Sequence, residues 1–126
     1  MSIQLNSSIY TLLTTNTGFT ALVGIKVFPV IAPNETTMPL VVITRDFTPQ
    51  YSRDGAGLND SNVEITILAI NYNESVQIAT IIDNILNSYD GIVGGVNIRD
   101  CRLVNCTEEY SNEAFIQKLF YTLKNH

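Results

Sequence analysis

The stretch Val63-Glu64-Ile65-Thr66-Ile67-Leu68-Ala69, running on through Asn71-Tyr72-Asn73-Glu74, decides the fold. Val63, Ile65, Ile67 and Ala69 occupy alternate positions, with Glu64, Thr66 and Leu68 between them. That period of two is a strand with one face in the core. At Asn71 the pattern changes. Asn71 and Asn73 carry side chains suited to capping a helix, and Glu74 places negative charge in its first turn. Val76, Ala79, Ile82, Ile85, Leu86 and Tyr89 then recur at helical spacing on one broad face, and Gly91 marks the expected stop.

Toward the N-terminus, Leu40-Val41-Val42-Ile43-Thr44-Arg45-Asp46-Phe47 lies between Pro39 and Pro49 and reads as a strand that begins apolar on both faces and turns polar. A loop from Ala32 to Met38 precedes it. Ile25 to Val30 is β-branched and aromatic and contains Pro29, which confines it to a sheet edge. Leu5, Ile9, Leu12 and Leu13 form one apolar stripe on a helix spanning Ser2 to Asn16. A short further turn, Phe19 to Val23, stops at Gly24. Toward the C-terminus, a turn at Gly94-Gly95 leads into a strand from Val96 to about Tyr110. Ser111-Asn112 reverses the chain into a last strand from Ala114 to Leu123. The expected order is α-β-β-β-α-β-β. It defines a single α+β domain over residues 1–126, an antiparallel or mixed sheet of about five strands with two helices packed on one face.

Composition removes several classes of function. The chain has 126 residues, 45% hydrophobic and 15% charged, which suits one globular domain. No apolar run approaches the ~20 residues of a membrane span. The first residues, Met1 to Leu5, lack the basic segment and apolar run of a secretory leader. A net charge of −5 opposes binding to duplex DNA through its phosphates. The one histidine is His126, so no Ser-His-Asp arrangement or multi-histidine metal site can be built within the chain.

The remaining polar groups do not assemble into chemistry. Cys101 and Cys106 are five residues apart on one strand, expected on opposite faces and about 16 Å apart, beyond disulfide reach. Arg99 and Arg102, also oddly spaced, are expected on opposite faces, which breaks any basic stripe. Glu108 and Glu109 are neighbours on a strand and point apart, so they form no carboxylate dyad. Asp46, Asp54, Asp60 and Glu64 lack the spacing of a calcium loop. Gly55-Ala56-Gly57 lacks the Gly-Lys-Ser/Thr of a phosphate loop. We therefore expect no catalytic, cofactor-binding or metal-binding residues and no cofactor.

What the sequence does carry is surface for assembly. The twelve residues from Pro49 to Asp60 join two strands that should pair, far more than a hairpin turn requires. Gln50, Tyr51, Ser52, Arg53, Asp54, Leu58 and Asn59 in this segment are candidates for contact with a neighbouring subunit or partner. Lys26 and Phe28 on the short edge strand form a second group, and Glu108, Glu109, Tyr110 and Glu113 at the closing hairpin a third. Open strand edges invite aggregation unless covered or blunted, and a ring of identical subunits covers them by heterologous contacts.

In order and spacing, these pieces resemble the small tail-completion proteins of long-tailed bacteriophages, the tail terminator or tail-to-head joining group. The resemblance rests on the leading helix, Ala21-Leu22-Val23-Gly24 with Val27-Phe28-Pro29, and Pro39-Leu40-Val41-Val42. It continues through the loop around Tyr51-Ser52-Arg53-Asp54-Gly55, the strand from Val63 into the second helix, and the closing strands, spanning residues 5 to 123. It implies a non-enzymatic virion subunit, assembled in the bacterial host cytoplasm and located in the tail-neck region. Such a subunit forms a hexameric ring on the tail-tube protein, ends tube elongation and presents a surface to the head-side connector. DNA passes through such a ring without specific binding, to which an acidic balance is suited, and no membrane is involved. The alternatives are a head-completion or neck protein of the same virion and a small α+β ligand-binding or enzymatic dimer.

Overall fold

The computed structural model describes residues 5–24, 26–29, 37–48, 59–93, 96–111 and 113–125. The elements are α1 (Leu5–Thr14), α2 (Thr17–Val23), β1 (Val27–Pro29), β2 (Leu40–Thr48), β3 (Asn59–Ala69), α3 (Tyr72–Leu86), β4 (Gly91–Val93), β5 (Val96–Ser111) and β6 (Ala114–Asn125). One six-stranded sheet has the order β1-β2-β3-β6-β5-β4. β1 runs parallel to β2, and every other neighbouring pair is antiparallel. The domain is α+β, as expected, with one more strand and one more helix than the sequence pattern supplied.

The alternation in β3 builds the core. Val63, Ile65, Ile67 and Ala69 are buried, while Glu64, Thr66 and Leu68 on the other face are half-buried. Val41 and Ile43 from β2 and Leu119, Tyr121 and Leu123 from β6 extend the same inner face. Ile9 and Leu13 of α1, Phe19 and Val23 of α2, and Ile78, Ile82 and Leu86 of α3 pack against it. The helices thus form one layer on one side of the sheet.

Helix ends follow from local hydrogen bonding. Near the end of α1, Thr11, Thr14 and Thr15 donate side-chain hydrogen bonds back to the carbonyls of Ser7, Tyr10 and Thr11. These bonds compete with helix continuation. Asn16 then caps α2, its Oδ1 accepting from the Phe19 N–H at 2.9 Å. What reads in sequence as one helix and a loose turn is therefore two separate helices. α2 stops at Gly24, where φ of +69° favours a residue without Cβ. Asn71 caps α3 by accepting from Asn73 N–H. α3 ends at Leu86 rather than near Gly91; Asn87 is its C-cap, Ser88 has φ of +68°, and Gly91 opens the three-residue strand β4.

Two irregularities in β5 overturn the face assignments made by counting residues. Arg99 pairs with Lys124, but Arg102 pairs with Thr122, so one extra residue enters β5 between them. Leu103 pairs with Tyr121 and Asn105 with Phe120, which leaves Val104 as a second extra residue. Each bulge flips the parity of the strand beyond it. Arg99 and Arg102 consequently share the outer face. Cys101 and Cys106 share the inner face, with Cys101 buried and Cys106 exposed, both as free thiols.

Candidate interaction surfaces

Among the described residues, no three His, Cys, Asp or Glu side chains lie together as a metal site would require. Among the described residues, no helix is long and apolar enough to cross a membrane either. The structure instead offers three surfaces.

The first is the free end of the β5–β6 hairpin, where it meets the start of α3. Tyr72 Oη donates to Glu108 Oε2 at 2.9 Å, and Gln117 Nε2 donates to the same oxygen at 3.0 Å. Gln117 Nε2 also lies 3.3 Å from Ser75 Oγ, which donates to the Tyr72 carbonyl at 2.7 Å. Ser75 and Gln117 are both buried, so their polar atoms are satisfied within the protein. The bond from Gln117, then that from Tyr72, holds the Glu108 carboxyl below its ordinary range, while the neighbouring carboxylate raises the Tyr72 phenol. Phe115 sits between Tyr72 and Tyr110, with ring centroids 5.7 and 4.8 Å away. Tyr72 and Tyr110 remain exposed beside it, and Ile70 and Val76, close to Tyr72 in the chain, are exposed as well. Tyrosines with an apolar body and a polar tip suit protein contacts. Glu109, on the opposite face from Glu108, pairs with Lys118 at 3.4 Å.

The second surface is a bare strand edge. β4 covers the outer side of β5 only at Val96–Ile98. Beyond it, Ser88 N–H donates to the Cys101 carbonyl, and Asn87 Oδ1 accepts from Leu103 N–H. From Asn105 to Ser111 no described strand pairs with that side, and every residue from Val104 to Ser111 is exposed. Pairing to β6 through this run is regular, with no further bulge, and it holds no Pro, Lys or Arg. It lacks most devices that blunt an edge; only Glu108 and Glu109 serve. At the opposite end of the sheet, β1 is an edge of three residues.

The third surface is the outer face of the sheet, which no described helix covers. Thr44, Glu64, Thr66, Phe120 and Thr122 on it are half-buried. Arg99, Arg102, Lys118 and Lys124 gather there, four of the seven Lys and Arg in the chain. Among the described residues only Lys118 of these has an ion pair.

Two buried groups under the helices stay out of any surface chemistry. Tyr121 Oη donates to Asp83 Oδ1 at 3.0 Å, and burial, reinforced by Asp83, raises the phenol well above its usual range. Burial, with a smaller contribution from Asp83, pushes the Cys101 thiol up to about 12. Such a thiol is an unreactive core group.

Of the sequence-derived contact residues, Gln50, Tyr51, Ser52, Arg53, Asp54 and Leu58 lie outside the described residues. Asn59 begins β3 rather than ending a loop. Glu108, Glu109, Tyr110 and Glu113 gather at the hairpin, and Glu113 occupies its turn with φ of +64°. Lys26 and Phe28 lie at the far edge, where Lys26 Nζ donates to the Thr37 carbonyl at 3.1 Å. Sequence reasoning missed Phe115, Gln117 and Lys118. They fall opposite Tyr110, Glu108 and Thr107 only once the pairing of Ser111 with Ala114 sets the register, one step from the reversal expected at Ser111-Asn112.

No protein family matches the sequence, and no curated protein does. Solved structures do. A chain of the virion of a native gene transfer agent (GTA) particle superposes with a TM-score of 0.79 at 15% identity, covering 97% of this chain and 95% of that one. A second solved chain reaches a TM-score of 0.68 at 13% identity, over 100% and 96%. At such identities the likeness is one of fold, and it extends over essentially the whole of each chain.

Proposed function

We propose that this chain is a structural subunit of a phage-like virion that closes into a hexameric ring on the end of the tail tube. The ring ends tube elongation and offers the head-side connector its joining surface. Assembly takes place in the bacterial cytoplasm, DNA passes through the ring without being specifically held, and neither catalysis nor a membrane is involved. The observation that carries this reading is the full-length likeness to a chain of a gene transfer agent virion. The described surface agrees with it, since it presents strand edges and exposed aromatic residues.

The mechanism is geometric. One side of the ring matches the last ring of tube protein, and the other cannot accept a further one. The test is to delete the chain from its virion genes and measure tail tubes by electron microscopy. Tubes of uncontrolled length are expected. Tubes of normal length beside unjoined heads would overturn the capping role and assign the chain to the neck.

A further inference from the structure

We propose that copies of this chain join head to tail by extending the sheet, the bare β5 edge of one copy receiving β1 of the next. The inference rests on the assembly reading and names the contact through which it works.

The strand register across the sheet makes the two ends complementary. Val27 lies level with Val41, Ile67, Gln117 and Glu108 in successive strands. Phe28 is level by the same route with Thr107, and Pro29 with Cys106. β1 therefore occupies, at one end of the sheet, the same height that stands empty beside β5 at the other. β4 sits at the opposite height, beside Val96–Ile98. A copy displaced by the five strands β1, β2, β3, β6 and β5 places its β1 in that gap, as in a lap joint. Strand direction also agrees: β1 and β2 run one way and β5 the other, so the new pair is antiparallel. Contact through two different patches is heterologous, and it closes into a ring when the rotation per copy permits.

Backbone groups and charge fit the same placement. Val41 N–H donates to the Lys26 carbonyl, so Lys26 and Phe28 turn their backbone toward β2 while Val27 and Pro29 turn theirs outward. Pro29 has no N–H, so the outward side offers one donor and two acceptors, a short docking strand that cannot template a long edge. Lys26, one step before Val27, falls level with Glu109 of the receiving copy. Among the described residues it has no carboxylate partner of its own. Exposed Val104 and Tyr110 on the receiving edge supply apolar area.

Cross-linking tests the pairing. In a Cys106→Ser background, Lys26→Cys and Glu109→Cys are made singly and together, and the purified full chain is treated with a short bis-maleimide. Neither position is in the core, and light scattering gives the mass of each variant before treatment. The double variant is expected to give a denaturing-gel ladder extending past dimer, and the single variants none. Dimers from Glu109→Cys alone would mean that β5 pairs with itself and would overturn the proposal. Oligomers in solution without a ladder would overturn the pairing and leave the assembly reading intact. Monomers throughout, without a ladder, would overturn both.

Discussion

Replacing Tyr121 with Phe removes one hydroxyl from the core and tests whether the tie between β6 and α3 works as the geometry says. Tyr121 is 1% exposed, and its Oη donates to Asp83 Oδ1 at 3.0 Å. A hydrogen bond of this kind contributes about 1–2 kcal/mol net, with the half-exposed Asp83 able to recover water. Unfolding entropy of about 2.1 cal/mol/K per residue turns that into a fall in Tm of roughly 4–8 °C for a chain this size. The deficit narrows in alkali. Burial first, and Asp83 second, raise the folded phenol above its unfolded value, near 10. Above that pH the unfolded chain releases a proton that the folded chain keeps. Wild-type stability then falls by about 1.4 kcal/mol per pH unit on this group's account. Tyr121→Phe lacks the group, so its deficit should shrink by about 1.4 kcal/mol between pH 9 and pH 11. Cys101 titrates with the same sign in both proteins and leaves the difference unaffected. Urea unfolding followed by circular dichroism measures it. A deficit that is absent at pH 7, or unchanged between pH 9 and pH 11, would refute the reasoning.

Three further outcomes are expected from the packing and the hairpin. A thiol reagent at pH 8 should titrate one cysteine in the folded protein, exposed Cys106, and a second, Cys101, only in denaturant; two fast thiols would place Cys101 wrongly. Ile82→Ala, at a fully buried position on the inner face of α3, should cost about 2–5 kcal/mol in urea unfolding, and a cost below about 1 kcal/mol would mean that the helical layer packs loosely. Carbon-detected NMR should find Glu108 titrating below the ordinary glutamate range. Gln117→Ala should move its midpoint up, and Tyr72→Phe should move it up by less; no movement in either would dissolve the network.

Where the sequence was legible, one residue sufficed to orient its neighbours. Ile65 and Ile67 announce the inner face of β3, and Asn71 announces the helix after it, because burial and capping act within a few residues. The bulges in β5 leave no such mark. Nothing local to Arg99-Asp100-Cys101-Arg102 or Val104-Asn105 separates an inserted residue from a paired one, since the insertion is defined by register against β6. Two counting arguments therefore failed together: Arg99 and Arg102 are not split between faces, and neither are Cys101 and Cys106. β4 escaped because three residues among glycines carry no period. The end of α3 was misplaced for a related reason: Tyr89 packs against the core at helical spacing although the helix has already ended at Leu86. The hairpin was half visible. Glu108 and Glu109 could be assigned to opposite faces by parity, but their partners Gln117 and Lys118 emerge only once the turn fixes the pairing.

The most direct test of the assembly account is the mass of the purified protein in solution, by light scattering across concentration and salt. A hexamer is expected, or a monomer that closes into rings as concentration rises, without growth into open filaments. A mass that stays monomeric at every concentration, or a stable dimer that binds a small ligand, would contradict it.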